Sequence, residues 1–312
     1  MLDWLRGSKA KTRPSKRAGG DELFDEEFQR RLEVLAIVSR RLVAGRTRAE
    51  RRSKKTGAGI EFADHRQYSP GDDFRHLDWN LYARTGRLLL RLYEEEEDLS
   101  VYILLDVSRS MRFGAPQSKL RYAKRLAAAL AYIALANLDR VCVVTFSDEV
   151  SERLAPTRGK NRIFKVFEFL RPLEADGQTA TADALKTFVA QNRRRGVAIL
   201  ISDLYDPDGF EAGINTLRYH KFEPYVIQVF DPVEVNPPLH GDVRLVDDET
   251  GEARDVTITP RVLERYAAAH AAYRARIDDF CTSKQVPHHA VRTDVPFDEA
   301  VLDILRRGGL VT

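Results

Sequence analysis

The chain has 312 residues, 31% of them charged and 43% hydrophobic, which excludes a disordered or collagen-like polymer and fits a globular protein about two domain lengths long. The 50 Lys/Arg and 47 Asp/Glu give a net charge of only +3, but unevenly: residues 1–56 hold 16 basic and 8 acidic side chains, and the rest is acid-rich. The longest uncharged apolar run, residues 126–138, has 13 residues, short of the roughly 20 a membrane helix needs. The opening Met1-Leu2-Asp3-Trp4-Leu5-Arg6 breaks into charge too soon for a signal peptide. Two cysteines, Cys142 and Cys281, make neither a disulfide framework nor a cysteine zinc site. A cytoplasmic protein is expected.

In chain order, residues 1–20 are basic and without periodicity, and read as a disordered tail. Leu23, Phe24, Phe28, Leu32, Leu35, Ile37, Val38 and Leu42 fall near helical spacing and predict an amphipathic helix. Residues 46–55 read as a basic connector. Residues 60–98 are dense in turn signals and aromatics, with a strand expected at 88–93 and an acidic, solvated run at 94–98. Asp72, Asp73 and Asp78 are expected to order a Pro-Gly turn and cap short helices, with Trp79 and Tyr82 packing this segment on the sheet.

From Leu99 the texture changes. Residues 101–105, 141–146, 197–201 and 225–230 are short, nearly all-apolar runs, the pattern of strands buried on both faces. Helical patterns at 119–138, 160–170 and 181–194 lie between them. A short strand is expected at 150–154, an exposed hairpin at 242–257, a long helix at 260–280, a last strand at 289–292 and a last helix at 297–305. Buried strands alternating with helices predict an α/β fold with a doubly wound, mainly parallel sheet, preceded by a helical and irregular N-terminal extension. The expected division is a tail at 1–20, an N-terminal segment at 21–98 and the α/β domain at 99–312.

Three segments carry candidate chemistry. Asp106-Val107-Ser108-Arg109-Ser110-Met111 follows the first buried strand, at the edge where open α/β sheets bind ligands. Asp176-Gly177-Gln178-Thr179 offers Thr179 before a helix. Ile201-Ser202-Asp203 ends the third buried strand and offers Asp203. Together they supply two carboxylates and three hydroxyls, hard oxygen donors suited to Mg²⁺ or Mn²⁺ rather than zinc. The plainer alternative is capping, since Ser, Thr and Asp ahead of a helix ordinarily satisfy its first amides; Thr181 competes with Thr179 for that role. His288-His289 has no partner at metal-ligand spacing and reads as strand or surface. No dinucleotide fingerprint, phosphate loop, Gly-x-Ser-x-Gly elbow or Cys/His nucleophile pair is present.

The set Asp106, Ser108, Ser110, Thr179 and Asp203 resembles the metal-ion-dependent adhesion site of von Willebrand factor A domains. Glu61-Phe62, Arg66-Gln67-Tyr68, Pro70-Gly71-Asp72-Asp73, Arg75, Leu77-Asp78-Trp79-Asn80 and Ala83-Arg84-Thr85-Gly86, with the Glu-rich turn and the Asp-x-Ser-x-Ser-Met end, resemble domain-of-unknown-function family 58, which carries a von Willebrand A-like domain. The likeness spans residues 20–310. It implies a non-enzymatic, metal-dependent protein-binding module, an adaptor or chaperone-like partner of a MoxR-type AAA+ ATPase that docks an acidic residue of a client protein. Many relatives carry N-terminal membrane helices, and none is expected in this sequence, whose apolar runs are too short. Two rival readings stay open: a metal-dependent phosphohydrolase with Asp106 as nucleophile, against which Ser108 stands where a second acid is usual, and nucleic-acid binding through the basic residues of 1–56.

Overall fold

The structure, a computed structural model, describes residues 23–50, 56–57, 61–94, 99–114, 116–247 and 251–307. Helix α1 (Glu26–Glu50) starts where Asp25 Oδ1 accepts the Phe28 amide at 2.7 Å. Phe24 just ahead of the helix and Phe28, Leu32 and Leu35 on it are buried as the spacing predicts, Ala36 joins them, Ile37 faces solvent, and the Leu42 side chain lies outside the described residues. The helix also runs on through residues 46–50, where a connector was expected. The 1–20 tail, residues 51–55 and residues 95–98 lie outside the described residues.

Strands β1 (Thr56–Gly57), β2 (Glu61–Gln67) and β3 (Leu89–Glu94) form a small antiparallel sheet in the order β1-β3-β2. Strand β2 went unread because its alternation is weak and four of its seven residues are charged or His. Between β2 and β3, Asp73 caps a 3-10 turn and Asp78 caps α2 (Trp79–Thr85), accepting the Leu81 amide at 3.0 Å. Asp72 accepts the Ser69 amide and the Arg66 guanidinium, which orders the Pro-Gly turn. Trp79 and Tyr82 do not pack as expected: they are 60% and 43% exposed. Leu77 and Leu90, paired through a β-bridge, are the buried apolar side chains here among the described residues.

The main sheet is built from β4 (Ser100–Asp106), β5 (Arg140–Phe146), β6 (Val150–Arg158), β7 (Val197–Ser202), β8 (Glu223–Phe230) and β11 (His288–Arg292). The order across it is β11-β8-β7-β4-β5-β6. All neighbours are parallel except β6, which pairs antiparallel with β5 and runs four residues past its expected end. The hairpin β9 (Gly241–Val246) and β10 (Ala253–Ile258) stands apart as a two-stranded sheet.

The apolar runs are explained by burial on both faces. Val101, Ile103 and Leu105 of β4 join one core cluster with α1, α3 (Lys119–Ala136), α4 (Ile163–Leu170) and α9 (Phe297–Arg307). Tyr102 and Leu104 point the other way, into a cluster with α5 (Thr181–Gln191), α6 (Glu211–Tyr219) and α8 (Pro260–Ser283). Helix α6 was not read from the sequence, since Gly213 interrupts a short pattern. Its Gly213 has a reason: a Cβ there would stand 2.9 Å from Leu185, so the glycine lets α6 close on α5. A single turn, α7 (Pro232–Val235), follows β8 with a complete capping box between Asp231 and Glu234.

Candidate metal centre

In chain order the main sheet runs outward from β4 to β5 and β6, then returns to place β7, β8 and β11 on the other side of β4. The direction reverses between β4 and β7, and the crevice beyond their carboxyl ends is the place where open α/β sheets bind ligands. Asp106 closes β4 and Asp203 follows β7, so the topology brings these two residues, 97 positions apart in sequence, to one edge.

Both carboxylates are wholly buried, and both fold their own turn. Asp106 Oδ1 accepts the Ser108 amide at 2.9 Å, and Asp203 Oδ1 accepts the Tyr205 amide at 3.1 Å. The second oxygen of each looks inward. Asp106 Oδ2 accepts the Ser202 hydroxyl at 2.5 Å, and Ser202 Oγ in turn accepts the Leu204 amide at 2.8 Å. Asp203 Oδ2 accepts the Lys119 ammonium at 2.6 Å. Leu204 holds φ at 63°, unusual for a branched side chain, and this left-handed residue bends the chain away directly after Asp203.

Ser108 caps nothing with its side chain. It opens a 3-10 turn (Arg109–Arg112), but its hydroxyl lies 3.1 Å from that of Ser110 instead of on a turn amide. Thr179 is not the cap of α5 either: Ala180 occupies that position, and Asp206 Oδ2 accepts the Thr181 amide at 2.7 Å. The loop bearing Thr179 is stitched to the Asp106 turn through Arg109 N to Gly177 O at 3.0 Å and Asp176 N to Val107 O at 2.8 Å. Gly177 sits at φ +85° with its missing Cβ only 2.7 Å from Ser147 Oγ, so a side chain there would push this loop off the turn. Asp106, Ser108 and Ser110 thus share one turn, with Asp203 beside them and buried Thr179 on the loop bound to that turn.

Burial drives the Asp106 carboxyl up to about 7, and the Asp203 charge next to it adds to the rise. Lys119, 1% exposed, is the local counter-charge. Burial alone would depress its ammonium, but Asp203 and Glu234 outweigh that and hold it above its usual value. Glu234 is raised by burial despite the Lys119 contact. Asp203 and Glu234 share the Lys119 ammonium, and Asp106 next to Asp203 accepts an amide and a hydroxyl instead, so the three carboxylates and one ammonium carry two negative charges when all are ionised, the charge a single divalent cation would balance. With the hydroxyl pair, the donor set fits a hard cation.

Ser202, Lys119 and Glu234 were missed in the sequence. A signal for Lys119 existed: it is the first residue of a helix whose first turn holds no acidic side chain, where the helix dipole opposes a cation. The histidines read as strand residues do lie in β11, with His288 on Asp278 and His289 on Asp303.

A Rossmann-order sheet whose reversal point carries an Asp-x-Ser-x-Ser turn and a second Asp defines a von Willebrand A-like α/β domain. The chain belongs to the family described as Protein of unknown function DUF58, whose pattern matches residues 64–276. It is 28% identical over 280 residues to the uncharacterized protein Rv1480 of Mycobacterium tuberculosis, covering 88% of this chain and 87% of that one. It is 36% identical over 136 residues to the uncharacterized protein MAV169 of Mycobacterium avium, covering 43% of this chain and 76% of that one. Among solved structures, an aerotolerance-related membrane protein from Bacteroides fragilis superposes with a TM-score of 0.44 at 20% identity, over 67% of this chain and 98% of that one. BatB from Bacteroides thetaiotaomicron gives 0.42 at 17%, over 66% and 96%. Among the described residues, no helix is long and apolar enough to cross a membrane.

Proposed function

We propose that this chain is a protein-docking module whose Asp106, Ser108, Ser110, Thr179 and Asp203 hold one Mg²⁺ or Mn²⁺ at the reversal point of the sheet. The observation that carries this reading is the pair of wholly buried carboxylates at the ends of adjacent strands, one of them opening the turn that bears a pair of hydroxyls, of which Ser108 caps no helix. Mg²⁺ keeps water in part of its octahedral shell. An acidic side chain of a partner replaces one such water and becomes a ligand. By its likeness to its family, the module serves in the cytoplasm as an adaptor beside a MoxR-type AAA+ ATPase and docks an acidic client.

The phosphohydrolase reading is weaker, because Ser108 stands where a second acid is usual and has no ionisable group for acid–base work at neutral pH. The nucleic-acid reading rests on basic residues outside this site and gains no observation in its favour.

The test is partner capture from native cells with Asp106→Ala, Ser108→Ala with Ser110→Ala, and Thr179→Ala, each with and without chelator. All three variants are expected to fold and to lose the same partner, at about 2–5 kcal/mol of binding, comparable to truncating one member of a buried charge pair. Chelator does the same to the native chain while moving its melting point by only a few degrees, as mass action dictates for a weak ligand. Capture that survives both chelation and Asp106→Ala refutes the reading, as does phosphate-ester hydrolysis that depends on Asp106.

A further inference from the structure

Lys119 stands where neither helix formation nor burial favours it. It is the first residue of α3, in a turn with no acidic side chain, so the positive end of the helix dipole opposes its charge. It is also among the largest wholly buried side chains of the protein. An ammonium so placed persists only where carboxylates repay its lost hydration. Two do: Asp203 Oδ2 at 2.6 Å and Glu234 Oε1 at 2.5 Å. The Tyr205 ring covers the ammonium with its centroid 5.0 Å away.

The two carboxylates differ in what else holds them. Asp203 Oδ1 is committed to the Tyr205 amide, so Oδ2 is the oxygen turned to a cation, and Lys119 already has it. Glu234 uses Oε2 for the Asp231 amide in the capping box of α7, which leaves Oε1 for Lys119. Glu234 is in turn anchored to α8, since the Tyr266 hydroxyl donates to its carbonyl at 2.6 Å. Lys119 therefore has a second, fixed place to rest if Asp203 is taken from it.

We propose that Lys119 is the resident cation of the site: its ammonium holds Asp203 Oδ2 when no divalent ion is bound, and gives that oxygen up when one enters, staying on Glu234. This rests on the metal-binding reading of the preceding subsection and adds its regulation. The exchange makes a metal ion compete with a tethered ammonium at very short range, which keeps metal affinity low. It also makes metal entry break the Lys119 bridge between Asp203 and Glu234 of α7, the element that leads into the β9–β10 hairpin.

The experiment is a calorimetric Mn²⁺ titration of the full chain, its Asp106→Ala variant and its Lys119→Met variant. A parallel arm follows the Lys119 side-chain nitrogen of the wild-type chain by NMR during Mg²⁺ addition. Met is close in length to Lys and suits a buried position. Lys119→Met is expected to bind Mn²⁺ at least ten times more tightly than wild type, and the wild-type Lys119 signal is expected to shift in step with Mg²⁺ saturation. Equal or weaker binding by Lys119→Met overturns the proposal. So does a Lys119 signal that stays still while Mg²⁺ binds, and this arm decides alone if the variant does not fold. In both cases binding abolished by Asp106→Ala leaves the metal-docking reading standing. Mn²⁺ binding by Lys119→Met alone supports the resident cation and removes the metal from the native protein's function. No binding by either chain removes both.

Discussion

Asp78, in the small N-terminal sheet, and Asp106, at the edge of the main one, are both aspartates with little or no accessible surface, and their surroundings act on them in opposite directions. Arg91, the Leu81 amide and His65 surround Asp78 and hold its carboxyl well below the usual carboxylate range. Asp106 has no cation of its own: it accepts one amide and one hydroxyl, and burial together with Asp203 pushes it up to about 7. The first arrangement is that of a structural clasp. The second leaves a negative site under-compensated in a buried crevice, a condition that recurs where proteins bind or react and is rarely kept for stability alone.

The comparison breaks most directly at Asp106. In chelator at pH 7, Asp106→Asn is expected to be more stable than wild type, by on the order of 2 kcal/mol, because it removes a charge that burial penalises. It is also expected to lose metal binding. Asp78→Asn is expected to move stability the other way, by less, since its partners His65 and Arg91 are partly exposed and solvent screens them. Paired denaturant melts of the two variants check the signs. Equal signs would mean that the two carboxylates do not differ as described.

The pH dependence sharpens the same contrast. Asp106 is raised in the fold, so between about pH 4 and 7 the folded state binds more protons than the unfolded one, and stability falls as pH rises through that window. Glu234, also raised by burial, acts in the same sense. Asp78 is depressed, so its contribution is present above about pH 4 and is lost as pH falls below it. Melting points in chelator should therefore rise from pH 7 toward pH 4 to 5 and fall below that. Asp106→Asn flattens the first limb, and Asp78→Asn flattens the second.

The smallest effect is expected at Trp79. Its ring is largely in water and meets Tyr82 edge-on at 6.2 Å. Trp79→Ala should change stability by less than about 0.5 kcal/mol, as for surface substitutions in general. A loss of 2 kcal/mol or more in a denaturant melt would return the ring to the packing role that the sequence suggested for it.

Much of the fold was legible because burial on both faces writes a continuous apolar run, and four such runs became β4, β5, β7 and β8 within a residue or two of their expected ends. What escaped was written in weaker signals. Strand β2 is largely charged, and α6 is short and carries Gly213. Trp79 and Tyr82 were misplaced because aromatic character predicts burial only on average, while α2 turns them outward and leaves Leu77 and Leu90 to fill the interior. At the site, Asp106, Ser108 and Ser110 were legible because strand end and turn are local features. Ser202 was overlooked beside Asp203, although its hydroxyl is what joins the two strand ends.

The sequence by itself determined the buried strands, their alternation with helices, and the hydroxyl-rich turn after β4, since each element is written in the pattern of its own residues. Only the tertiary structure decided the charge state of the site. Lys119 meets Asp203 across 84 residues and Glu234 across 115. No periodicity or spacing records a contact between residues so far apart, because it exists only once the sheet has reversed direction between β4 and β7 and brought separate strand ends to one edge.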